Sequence, residues 1–206
     1  MERKINLKKL GSILLTLMVT ISMILPSMLV PKEVSAGSDS VIVNLNSNRV
    51  AGYRANGKTS LSNYTTRYDK AGSKIINSNG STLYCIDPLT PAVQGLHQTS
   101  SLLGYHGLTQ YDINYMACGV DYLNRNYGAN EAEALAQFFI WEYLNGKTIY
   151  TATITATNMS SSTYNTGISN ARNFATSKAG SAKGTGILYT SGKSQPLVQL
   201  AVSYSG

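Results

Sequence analysis

Leu83-Tyr84-Cys85-Ile86-Asp87 sets one of the chain's two cysteines among bulky apolar neighbours, in a run of strand length. Just upstream, Lys74-Ile75-Ile76 and Ser81 to Asp87 flank Asn77-Ser78-Asn79-Gly80. Asn-Gly between two such runs predicts a β-hairpin, because glycine accepts the left-handed backbone that a tight turn needs. Pro88 and Pro91 then end the strand. Cys85 therefore sits near the tip of a hairpin strand, and its bonding partner bears on both fold and function.

Upstream of the hairpin, Val41 to Leu45 and Val50 to Arg54 read as strands joined by Asn46-Ser47-Asn48, and the polar, glycine-containing residues 55 to 73 read as a loop. Downstream, residues 88 to 108 carry proline, glycine and both histidines, His97 and His106, without a period, and also read as a loop. Helical spacing then takes over. Ile113, Met116, Ala117, Val120 and Leu123 predict a helix over 110–127 that carries Cys118, with Gly128 as its stop.

Asn130-Glu131-Ala132-Glu133 has the form of a capping box, and Ala132, Leu135, Ala136, Phe139, Ile140 and Tyr143 give a second helix ending at Asn145-Gly146. On a neighbouring face, Gln137, Trp141 and Leu144 are spaced by four and three. Thr148 to Thr157 alternates and is β-branched, so it reads as a strand; 164–179 is a third helix; Gly186 to Thr190 and Leu197 to Tyr204 are the last strands. In the final one Gln199 shares a face with Leu197 and Ala201, a polar residue in an apolar strand. The pattern predicts an α+β domain, with an antiparallel β-sandwich or barrel core and an inserted helical sub-lobe.

The first 36 residues stand apart. Arg3, Lys4, Lys8 and Lys9 precede an apolar run from Leu10 to Val30, and Val34-Ser35-Ala36 fits a small-residue cleavage site. Residues 1–36 are read as a secretory signal and 37–206 as a single domain, with no membrane association once the signal is removed. The signal holds five of the 17 basic and two of the 10 acidic residues, which leaves 12 against 8 in the domain. That scattered excess gives no basic cluster for nucleic acid. Two histidines and two cysteines lack metal-ligand spacing, and there is no phosphate loop, dinucleotide fingerprint or serine elbow; no metal or cofactor is expected.

Three partners for Cys85 are open on the residues alone: Cys118 in a disulfide, a histidine that makes it a catalytic thiolate, or a side-chain carboxamide that makes it an internal thioester. Tyr-Cys-Ile-Asp at 84–87, Ala-Gln-Phe-Phe-Ile-Trp at 136–141 and Leu-Val-Gln-Leu-Ala-Val at 197–202, in that order behind a signal, resemble the thioester domains of Gram-positive surface adhesins. Ala136 stands where that family's helix motif usually has Thr, and Phe139 where it has Ala. The resemblance implies a thioester between Cys85 and Gln199, with Gln137 and Trp141 building its surroundings. It also implies a monomeric domain displayed at the bacterial surface, as the distal part of a longer wall-anchored protein.

The residue types suit that chemistry. A thiol attacks an unactivated amide only when the fold holds the two in place, an advantage of roughly 7 to 11 kcal/mol for oriented groups. Thiolate serves first as nucleophile and later as leaving group, and apolar side chains such as Tyr84 and Trp141 are expected to exclude water. The stored acyl group would pass to a lysine amine on a host protein, leaving an isopeptide bond and a free thiol; a protein consumed in this way is not a turnover enzyme. Only about one lysine in a few thousand is unprotonated at pH 7, so a base is required, with His97, His106 and Asp87 as candidates. Two rivals remain: a binding module stapled by Cys85–Cys118, and a secreted cysteine hydrolase or transglutaminase-like enzyme using Cys85 with a histidine.

Overall fold

The hairpin forms where Asn77 can serve its own turn. Its side-chain Oδ1 accepts from the backbone of Asn79 (3.0 Å) and Ser81 (2.9 Å), and Gly80 takes the left-handed φ of 78° that closes the loop. The computed structural model describes residues 40–45, 51–59, 62–71, 75–148, 150–192 and 195–205. The expected signal and the turn at 46–48 lie outside them. The elements described belong to one compact unit, Ala36–Gly206.

The strands are β1 (Ser40–Leu45), β2 (Ala51–Thr59), β3 (Ser62–Ala71), β4 (Ile75–Asn77), β5 (Thr82–Cys85), β6 (Gly95–Ser101), β7 (Tyr150–Thr157), β8 (Ala182–Thr190) and β9 (Leu197–Tyr204). The helices are α1 (Gln110–Asn126), α2 (Ala129–Leu144) and α3 (Ser161–Lys178). Six strands close an antiparallel barrel in the order β1-β4-β5-β9-β8-β6, and β3-β2-β7 make a separate sheet. The fold is thus α+β with a barrel core and a helical insertion, as the sequence pattern predicts.

Two predicted loops are strands. Residues 55–59 continue β2 and 62–71 form β3, in register from Ala51↔Ala71 to Gly57↔Thr65, and residues 95–101 within the second are β6. In β6 only His97 is buried, so no apolar alternation marks the strand. The predicted cap at Asn130 is also displaced: α2 starts after Gly128 without a side-chain cap. The capping box belongs to α1, where Thr109 and Asp112 exchange hydrogen bonds with each other's backbone N–H.

Helix α2 is apolar on nearly every side because it lies at the centre of the unit. Glycines let its neighbours approach: a Cβ at Gly119 of α1 would meet the Phe139 ring at 2.2 Å, and one at Gly167 of α3 would meet Leu135 at 2.8 Å. The faces of the barrel strands then sort themselves. A Cβ at Gly184 or Gly186 of β8 would press on Asn114 of α1 or on Leu102, so the even positions of β8 face the helical side. Leu188 pairs with Val198, and Val198 with Tyr84, so these three share that face. Tyr189, Leu197 and Cys85, one residue along, face the barrel lumen.

Asp112 ties α1 to the end of α2, accepting from Tyr143 at 2.6 Å and from Lys147 at 3.1 Å besides its capping bonds. Burial pushes its carboxyl up, but the bonds from Thr109, Tyr143 and Lys147 outweigh that and hold it well below the ordinary value. A depressed carboxyl contributes stability above its unfolded pKa and loses it as pH falls through the folded value. Asp112→Asn should therefore cost about 1 kcal/mol at pH 7, with the gap to wild type closing below about pH 3.9. Urea midpoints at both pH values measure this; a gap that does not narrow in acid would refute it.

Candidate functional site

Cys85 is the last residue of β5 and is buried. Ile86 N–H donates to Pro196 O at 3.0 Å, so residue 86 turns its backbone groups toward β9 and residue 85 turns its own away. On that side the ladder with β4 reaches Ile75↔Leu83 among the described residues. Gln137 of α2 supplies the bonds that a neighbouring strand would. Its Oε1 accepts from Cys85 N–H at 2.7 Å and its Nε2 donates to Cys85 O at 2.8 Å, a two-bond clamp on the main chain of the thiol-bearing residue.

One turn along α2, Trp141 packs on Tyr53 of β2 with ring centroids 4.6 Å apart, and Tyr53 hydroxyl donates to Pro88 O at 2.9 Å. Tyr150 hydroxyl bonds Trp141 O. Asp87, fully buried, accepts from Leu89 N–H at 2.8 Å and from Thr90 hydroxyl at 2.6 Å, which turns the chain into Pro88. The segment after the thiol is therefore held from both ends. Trp141 Nε1 is buried with no hydrogen-bond partner among the described residues.

Two glutamines flank Leu197, the residue opposite Cys85. Gln199 lies in β9 opposite Ile187 of β8, and its Oε1 accepts from Tyr189 hydroxyl at 2.7 Å and Asn77 Nδ2 at 3.2 Å. Gln195, just before the strand, is 3 % exposed; its Oε1 accepts from Asp87 N–H at 3.0 Å and its own N–H donates to Pro91 O at 3.2 Å. Sequence reasoning passed over Gln195 because it sits between turn residues. The available signal was the alternation 195, 197, 199, which extends the face of Gln199 back across Pro196.

Tyr84 faces away from the thiol, toward Asn124 of α1, and burial pushes its phenol up to about 12. Its contribution is to seat β5 on the helices, not to cover the sulfur. His97 is buried in β6, its Nδ1 3.1 Å from Gly95 O and its Nε2 without a partner among the described residues. His106 is exposed on the turn Tyr105–Gly107. Asp87 is the only one of the three candidate bases whose chain position adjoins Cys85.

Neither Cys85 nor Cys118 is joined in a disulfide. Cys118 is buried on α1, where desolvation raises its pKa, and it bonds Tyr204 at the far end of β9. Tyr204 lies seven residues from Leu197, roughly 23 Å along the strand. A disulfide needs Cα atoms within about 7 Å, so the staple considered from the sequence does not form in this fold.

Among the described residues no helix is long and apolar enough to cross a membrane, and no three His, Cys, Asp or Glu side chains gather in metal-binding geometry. Comparison of the chain with family models, curated proteins and solved structures returns no match.

Proposed function

We propose that this domain is a covalent adhesin module: Cys85 condenses with a glutamine carboxamide on its own face of the barrel, and the resulting thioester is opened by a lysine amine of a host surface or matrix protein. The observation that carries the reading is the Gln137 clamp. A buried carboxamide spends both its hydrogen-bonding ends on fixing the main chain of a single cysteine that is in no disulfide, and glutamines lie on either side of the residue facing it. Such fixing is what a sluggish thiol–amide condensation requires. The resemblance to the thioester domains of Gram-positive adhesins points the same way. The module acts once, as a monomer without a cofactor, on a chain exported by its signal and displayed at the bacterial surface.

Intact mass of the purified protein tests the reading. The expected mass is short of the sequence by one ammonia, methylamine adds to the protein and releases one thiol, and Cys85→Ala abolishes both effects. A full-length mass with two titratable thiols and no methylamine uptake would rule the thioester out. A deficit of two hydrogens would instead restore the disulfide module.

A further inference from the structure

The two glutamines are not equivalent partners for Cys85, and the identity of the acyl donor rests on the thioester reading just given. We infer that Gln195, and not Gln199, condenses with Cys85, with the backbone N–H of Asp87 as the donor that holds the carbonyl oxygen.

Register makes the first distinction. Ile86 N–H to Pro196 O is a ladder bond, so 86 and 196 form a hydrogen-bonded pair and Cys85↔Leu197 a non-hydrogen-bonded one. In such a pair facing side chains are close, with Cα atoms about 4.5 Å apart, and the right-handed twist closes one diagonal while opening the other. The closed diagonal runs from a residue to the one two positions before its partner. For Cys85 that is residue 195; residue 199 lies on the opened diagonal. Both share the face of Cys85, so twist decides between them.

The hydrogen bonds make the second. Gln195 Oε1 lies against Asp87 N–H, two residues from the thiol-bearing Cα, so its carboxamide is laid along the Cys85–Asp87 segment. Its main chain is pinned by Pro91 O on one side and by Pro196, whose carbonyl holds Ile86, on the other. Gln199 is held instead by Tyr189 of β8 and Asn77 of β4, and continuing the register sets it opposite Leu83.

The chemistry fits this placement. The thiol of Cys85 adds to the carboxamide carbon of Gln195; the S–C bond forms, negative charge gathers on Oε1, and Asp87 N–H already points at that atom. The C–N bond then breaks, the thiol proton leaves on nitrogen, and ammonia departs. When an amine attacks later, N–C forms, C–S breaks, and the amine's proton restores the Cys85 thiol. The same Asp87 N–H faces the oxygen in both tetrahedral intermediates.

The decisive experiment needs no variant. After methylamine treatment, trypsin cuts behind Lys193 and releases Ser194–Gly206, which contains both glutamines. Fragmentation should find the added CH2 on residue 195, with residue 199 unmodified. In parallel, Gln199→Glu should keep the ammonia deficit and Gln195→Glu should lose it completely while still unfolding cooperatively. Label on residue 199, or a deficit that survives Gln195→Glu, overturns the assignment while leaving the thioester standing. A wild-type protein of full mass that takes up no methylamine overturns both.

Discussion

Gln137→Ala should lower the stability of the domain by about 3 to 5 kcal/mol, among the largest effects expected of any single substitution here. Two hydrogen bonds are lost, and the N–H and C=O of Cys85 are left buried without partners, at about 1 to 3 kcal/mol each. Gln137→Glu gives the mechanism a sharper test. A neutral carboxylic acid reproduces the clamp, accepting from Cys85 N–H and donating to Cys85 O, whereas a carboxylate turns an oxygen on the carbonyl. The buried Glu therefore has a raised folded pKa. Its stability relative to wild type is kept below the unfolded value of about 4.3 and lost as pH rises toward the folded one. Urea midpoints at pH 4 and pH 7 should show the deficit only at the higher pH. A deficit of equal size at both would mean that Gln137 matters for its volume and not for its bonds.

Asn114→Ala should cost a similar amount, about 3 to 5 kcal/mol, through the other carboxamide of the interior. Asn114 uses every bond it has: Nδ2 donates to Ala179 O and Ala182 O, both at 2.8 Å, and Oδ1 accepts from Gly184 N–H and Gln110 Nε2, also at 2.8 Å. Three of those partners are main-chain groups where α3 turns into β8, and truncation strands them. A Cβ at Gly184 would come within 2.9 Å of the Asn114 Cα, so the approach is too close for a bulkier repair. Asn114→Asp should be at least as damaging at neutral pH, because its oxygen would replace a nitrogen that serves two carbonyls. Equilibrium unfolding in urea checks both variants, and a loss under about 1 kcal/mol for Asn114→Ala would show that water takes over the three groups.

The elements legible in the sequence were those whose signal is local. The Asn77–Gly80 turn, the stripes of α1 and α2 and the alternation of β7 and β9 each lie within a few residues of chain. Strand β3 and strand β6 were not: β3 pairs with its chain neighbour β2 through a polar sequence, β6 pairs with the distant β1 and β8, and neither pairing leaves an apolar period behind. The candidate site divides in the same way. Cys85 and Gln137 announce themselves as a thiol in a strand and an amide in an apolar helix, yet the clamp joins positions 52 apart. Gln195 carries no pattern of its own. Its importance comes from the register of two strands more than a hundred residues apart, and from a twist that no composition encodes.

Strand β9 lies between β5 and β8 and is the member without which the ring of six cannot shut. Its neighbour β5 belongs to the first hairpin of the barrel to emerge from the ribosome, with α1, α2 and α3 between them in the chain. Contacts of such separation assemble late. Until then the thiol waits beside a gap in the wall, opposite nothing, and the residues that bring carboxamides to it arrive together with the closure that shelters it. On the proposed thioester reading, reactivity and protection are delivered by a single folding event.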